Sequence, residues 1–275
     1  MIPRGVGDSG HRVDGEDKVT GRFTYASDLL CEGMLFGATL RSPYAHARIR
    51  RIDTTAASTV AGIYAVLTHE DVPGSKYFGI EVVDQPVLAT GVVRYIGDPI
   101  AVVAAESEPA AREALSSIEV EYEPLEPVLE PELSREFVRR IVITRGNADE
   151  RGDVIVSGTY TIGMQDQAFL GPEAALAIPD GHGGVDIHAA SQWLHGDRDA
   201  VAPCLGLDPS RVRFHLAGVG GAFGGREDLS VQLHSALLAL HTGRPVRFVY
   251  GREESFNGHP HRHPARVRAE HHARR

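Results

Sequence analysis

The sequence predicts an α+β fold in two parts, and three observations carry that reading. Alternating apolar segments of strand type recur through both halves, with helix-type segments between them. An acidic stretch at 124–150, broken by Pro124, Pro127 and Pro131, separates the halves as an extended linker. A glycine run from Gly218 to Gly225 lies between an alternating segment and a long apolar one, which reads as strand, tight loop and helix.

The first part, 16–123, follows a tail at 1–15. Met34 to Leu40 is its first expected strand. Ile49 to Ile52 leads into a small-residue stretch, and Ile63 to Leu67 reads as a buried strand before the Pro73-Gly74 turn. Val92 to Ile96, the Gly97-Asp98-Pro99 turn and Ile100 to Ala104 give strand, turn and strand. Ser107 caps an expected helix through Leu115, with Pro109 in its first turn. Ile118, Val120 and Tyr122 then alternate with glutamates, a strand with one solvated acidic face.

The second part, 151–275, restarts with Val154, Val156, Gly158 and Tyr160. Gly184 to Ala190 is a strand ending at Ser191-Gln192-Trp193, and a helix is expected from Asp197 to Leu205. Val212, Phe214 and Leu216 precede the glycine run. Leu229 to Leu240 is apolar nearly all round, so that helix must be buried. Gly243 and Pro245 stop it, and Val246 to Tyr250 is the next strand. His259, His261 and His263 alternate, so a strand there would turn three imidazoles to one side, in the manner of a zinc site. A structural role is the reading preferred for them.

The glycine run matters because glycine permits positive φ and lets a backbone approach a ligand closely. Free N–H groups at a following helix attract anions, so the first expectation is a phosphorylated cofactor. Two familiar loops fit poorly. The dinucleotide pattern has Phe223 where its third glycine belongs and Leu238 near the place of its acidic ribose ligand. The P-loop spacing exists in Gly220 and Gly225, but Arg226 and Glu227 replace the lysine and hydroxyl residue.

Composition removes other classes. A net charge of −9 speaks against a general nucleic-acid binder. No apolar run is long enough for a membrane span, and the polar N-terminus has no signal-peptide core, so a cytoplasmic location is the default. The two cysteines, Cys31 and Cys204, form no paired motif, so no iron–sulfur or zinc-thiolate framework is expected.

Ordered motifs then converge. They include Lys18-Val19-Thr20-Gly21, Tyr25-Ala26-Ser27-Asp28, Arg41-Ser42-Pro43-Tyr44-Ala45-His46-Ala47 and Tyr95-Ile96-Gly97-Asp98-Pro99. Later come Gly171-Pro172-Glu173-Ala174-Ala175, Ala190-Ser191-Gln192-Trp193, the glycine run and Arg252-Glu253-Glu254-Ser255. On these the chain resembles the molybdenum-binding subunit of the xanthine dehydrogenase/aldehyde oxidase family. The resemblance implies an α/β hammerhead domain at 16–123 and the incomplete start of a molybdopterin-binding domain at 151–275. It implies hydroxylation of an N-heterocycle or aldehyde, with water as oxygen donor, at a molybdenum–pterin cofactor, the cytosine dinucleotide form included.

Residue roles follow from the same resemblance. The pterin holds the metal, so no direct protein ligand is expected. Gln192 matches the amide that reaches an oxygen on molybdenum, and Gly221, Ala222, Phe223 and Gly224 match the loop facing the cofactor, with Phe223 as a dry pocket wall. Glu227 stands where purine-oxidising members carry a glutamate, so it is expected to orient a purine-like substrate. Arg252, Glu253 and Glu254 are expected to form ion pairs within the second part. No residue matches the family's downstream base glutamate, so the chain alone is expected to have little activity, either completed by a second polypeptide or truncated. Electrons would leave through [2Fe–2S] and FAD on partner subunits. Two competing readings are an aldehyde or carbon monoxide dehydrogenase relative and a non-catalytic assembly fragment.

Overall fold

The computed structural model describes residues 5–7, 10–147 and 151–275. Residues 1–4, 8 and 9 of the expected tail and 148–150 of the expected linker lie outside the described residues. Helix α1 (Gly15–Val19) carries Glu16 and Asp17 in its first turn and Lys18 in its last, the charge order its dipole favours. Then follow β1 (Leu35–Arg41), β2 (Ala47–Asp53), α2 (Thr55–Ser58) and β3 (Ile63–Leu67). A small hairpin, β4 (Tyr77–Phe78) and β5 (Gln85–Pro86), precedes β6 (Val92–Val93), β7 (Pro99–Ala105), α3 (Glu108–Ser116) and β8 (Glu119–Pro124).

Local chemistry sets these limits. The Ser107 hydroxyl accepts the Ala110 N–H at 3.3 Å, and Pro109 sits in the first turn of α3 as expected. The expected strand Val92 to Ile96 stops at Val93. There the Asp98 carboxylate accepts the Arg94 N–H at 3.0 Å and draws the chain into its turn. Strand β7 is buried on both faces. Val102 and Ala104 join the main core, while Ala101 and Val103 pack against α2 and α3.

The second half supplies β9 (Val154–Ile162), β10 (Ala174–Pro179), β11 (Val185–Ala189), α4 (Leu194–Cys204) and β12 (Val212–Leu216). After these come α5 (Val231–Thr242), β13 (Val246–Val249), α6 (Arg252–Gly258) and β14 (Ala265–Ala273). Helix α5 is buried from Val231 to Ala239 and ends at Gly243, whose φ of 67° is left-handed, the conformation expected of that glycine.

One seven-stranded sheet, in the order β12-β11-β10-β13-β1-β7-β3, draws on both halves. The junction is the parallel pair β1–β13, with Leu35 opposite Val246 and Gly37 opposite Phe248. Glu254 also crosses between halves. It accepts from Arg41 Nε at 2.9 Å, so the expectation of pairing within the second part is corrected. The Arg41 guanidinium carbon lies over the Tyr250 ring, 4.7 Å from the centroid, which holds the side chain toward the second part. Strands β9 and β14 form a separate antiparallel ribbon whose residues are nearly all exposed.

Candidate functional site

The sheet brings the end of β11 beside the glycine run. The Gln192 N–H donates to the Arg226 carbonyl at 3.0 Å, and the Arg226 N–H donates to Gln192 Oε1 at 3.3 Å. Gln192 Nε2 donates to Glu227 Oε1 at 3.4 Å. Gln192 and Glu227, 35 residues apart, are thus adjacent, and both remain accessible.

Arg226 holds the loop from beneath. Its buried guanidinium donates from Nε to the Gly221 carbonyl at 2.9 Å and from Nη2 to the carbonyls of Gly171 and Pro172. It lies 4.2 Å over the ring of Phe169. The run packs so closely on Gly171 that a Cβ at Gly220 would stand 2.9 Å from the Gly171 Cα. A Cβ at Gly218 would run into the ring of Phe23. These contacts are why positions 218 and 220 are glycine.

The free side of the loop suits an anionic, oxygen-rich group. Among the described residues, the N–H groups of Gly221, Ala222, Phe223 and Gly224 donate to no protein acceptor. The space where a Cβ of Gly224 would stand is clear. Gly221 and Gly224 have φ of 107° and 88°, and Phe223 itself has φ of 53°. Phe223 is 78% exposed and folds its ring over Gly221.

Two cavities flank the site. One, of about 250 Å³, lies between the Tyr25-to-Asp28 segment and the glycine run, bordered by Gly171, Gly218, Gly220 and Arg226. The other, of about 390 Å³, is lined by Glu227, Trp193, Tyr77, Phe78 and Ile80, with Asp197 and Asp228 at its floor. Burial pushes Asp197 up to about 6, against hydrogen bonds from Ser191 and Gln232, and also raises Asp228. Sequence reasoning missed Tyr77, Phe78 and Ile80, which lie over a hundred residues from Glu227. A short aromatic hairpin carries no signal of what it faces.

The three alternating histidines separate. Residues 259–263 form no strand; His259 is buried, His261 partly so and His263 exposed. Pro260 and Pro264 have no N–H to give a ladder. Asp166 takes the third place: its Oδ2 lies 3.1 Å from His259 Nε2 and 2.9 Å from His261 Nε2.

Residues 20–126 match the family model of the aldehyde oxidase and xanthine dehydrogenase a/b hammerhead domain. Residues 131–275, more than half the chain, match that of the molybdopterin cofactor-binding domain. The chain belongs to the xanthine dehydrogenase/aldehyde oxidase family. It corresponds to the N-terminal portion of the family's molybdopterin-binding subunit. It is 38% identical over 270 residues to a probable xanthine dehydrogenase subunit of Bacillus subtilis, covering 93% of this chain and 36% of that one. To the nicotinate dehydrogenase large molybdopterin subunit of Eubacterium barkeri it is 37% identical, covering 92% and 63%. It superposes on the aldehyde oxidoreductase of Desulfovibrio gigas with a TM-score of 0.85 at 28% identity, over 96% and 32% of the two chains. The chain thus spans about a third to two thirds of these family members. The hammerhead and molybdopterin-binding folds expected from sequence are those found, and the cofactor of the family is a molybdenum–pterin. No helix among the described residues is long and apolar enough to cross a membrane.

Proposed function

We propose that this chain is the part of a molybdenum hydroxylase that grips one side of the cofactor and orients a purine-like N-heterocycle. The observation that carries this is the contact of Gln192 with Glu227, which lines an apolar cavity, beside a loop of unpaired amides. The amides of Gly221 to Gly224 and the Gln192 side chain would hold the cofactor's oxygens. When bound, the cofactor supplies the oxidation of an electron-poor carbon, with water as the oxygen source.

The chain's own residues do the positioning. Trp193, Tyr77 and Phe78 give a flat heterocycle aromatic and apolar surface. Glu227 offers a carboxylate to an N–H at its edge, and its link to Gln192 sets the side on which that edge lies. A cytoplasmic complex follows from the same reading, with [2Fe–2S] and FAD carried by partner subunits. A further chain or segment supplies the general base and covers the exposed β9–β14 ribbon. The similarity to xanthine and nicotinate dehydrogenases supports the heterocycle, and the likeness to an aldehyde oxidoreductase supports aldehydes as the second reading.

The test is turnover by the complex purified with its partners from molybdate-supplied cells, using hypoxanthine, nicotinate and benzaldehyde. Glu227→Gln is expected to lower kcat/KM for the heterocycle about 100-fold or more, while altering aldehyde turnover less than about 3-fold. Unchanged heterocycle turnover would remove Glu227 from the site. Turnover of benzaldehyde alone would favour the second reading, and a complex without molybdenum or pterin would leave a non-catalytic assembly role.

A further inference from the structure

We propose that Asp166, His259 and His261 bind one divalent transition-metal ion of zinc type, clamped beneath the glycine loop. Asp166 Oδ2 stands 3.1 Å from His259 Nε2 and 2.9 Å from His261 Nε2, and all three ligand atoms lie within 4.8 Å of one another. Ligands about 2.0–2.2 Å from a tetrahedral zinc ion stand about 3.3–3.6 Å apart, so these atoms would move outward by a few tenths of an ångström to take the ion.

The orientation of these groups points to an ion. The His259 side chain is 1% exposed, and its Nε2 faces Asp166 Oδ2 at 3.1 Å without the alignment of a hydrogen bond. Buried polar atoms left this way are uncommon and call for an explanation such as a bound ion. Behind His259, Glu173 Oε1 lies 2.9 Å from Nδ1 and is itself buried. Metal-bound imidazoles commonly carry a carboxylate behind them, and Glu173 stands at that place. Two carboxylates also balance a divalent charge in a place where unbalanced charge is costly. Imidazole and carboxylate without thiolate favour zinc or a neighbouring first-row ion over calcium. His261 and Asp166, with side chains 19% and 17% exposed, leave an approach for the ion and a place for a water ligand.

The site's location gives it a role. Asp166 follows β9 and the histidines precede β14, so the ion would tie the ribbon's base together where Gln165 bridges Arg262. The Phe169 ring lies 4.9 Å from the His259 ring and under the Arg226 guanidinium. Stiffness at the ion therefore reaches the glycine loop through one side chain. This inference needs no cofactor and stands apart from the proposed reaction.

The probe is zinc alone, added to the tag-free, chelator-treated full chain, with metal content measured after gel filtration and melting followed in parallel. The wild type is expected to retain one zinc per chain. Its melting midpoint should rise by roughly 5 °C or more at a zinc concentration a hundredfold above Kd. Asp166→Asn and His261→Gln should each lose the retained zinc and the shift, while His263→Gln keeps both. Glu173→Gln should weaken binding about 10- to 100-fold without abolishing it. His261 lies at the rim, so its variant should melt without metal as the wild type does, which separates lost ligation from lost fold. No zinc retained by the wild type, or zinc retained equally by Asp166→Asn and His261→Gln, overturns the site. In that case the cluster is an ion-paired imidazolium between Asp166 and Glu173.

Discussion

Arg226 shows how one side chain fixes a loop that has no regular structure. Its planar fork serves three carbonyls at once, and its face covers an aromatic ring. Lysine has neither the fork nor the flat face. Arg226→Lys is therefore expected to lower unfolding stability by about 1–3 kcal/mol, read by urea denaturation. From sequence, Gln192 and Glu227 stand out as candidates through their motif, but the role of Arg226 does not. An arginine after glycines reads as surface charge until the carbonyls of Gly171 and Pro172 are seen to close over it. Asp197 makes a different prediction. Burial holds it at about 6 against an ordinary 3.8. A carboxyl raised in the folded state contributes its stability in full below about 3.8 and loses it as pH rises through about 6. Asp197→Asn should then be more stable than the wild type at pH 8, by up to roughly 3 kcal/mol, with the gap closing toward pH 4. His234 runs the other way, its pKa pushed down to about 4 by burial, so only the difference between variant and wild type isolates Asp197. A gap that does not change between pH 4 and 8 would place the effect elsewhere.

At the scale of elements, the parallel pair β1–β13 has the least tolerance. A Cβ on Gly37 would run into the ring of Phe248, itself 1% exposed in the main core. Gly37→Ala must push that ring or part the strands. A cost of about 2–4 kcal/mol is expected, and calorimetry should show a lower midpoint with one transition retained. Most elements were legible because pattern and environment agree: apolar α5 is buried, and Ser107 caps α3. The failures have local causes. Strand β10 has no β-branched residue until Ile178, so Ala174 to Ala177 read as a motif segment; it is a strand because β11 and β13 pair with both its edges. The alternation at His259 to His263 is a true period of two, overruled by two prolines.

The boundary expected at 124–150 rests on an acidic, proline-broken sequence, and residues 125–147 are largely exposed, with one 3₁₀ turn and no other regular structure. What composition cannot show is that strands from either side of that segment share one sheet. The hammerhead part gives β1, β7 and β3, the molybdopterin part gives the other strands, and Arg41 adds its bond to Glu254. A linker between independent domains would let its halves part once cut. Here the cut leaves the β1–β13 pair, helix α5 against strands of both halves and the Arg41–Glu254 pair untouched. Limited trypsin digestion, directed at Arg135, Arg139, Arg140 and Arg145 in the exposed segment, is therefore expected to give two fragments that co-elute on native gel filtration. They should separate only in denaturant. The exposed ribbon bears Ile155, Val156, Tyr160 and Val267 on its surface, so the nicked species should keep the intact chain's tendency to bind an apolar dye. Fragments that separate under native conditions would mean that the shared sheet contributes too little to hold the halves together. The close approach of Tyr77 and Phe78 to Glu227 would then lose its basis, because the hairpin and the glycine loop meet only while the two parts stay joined.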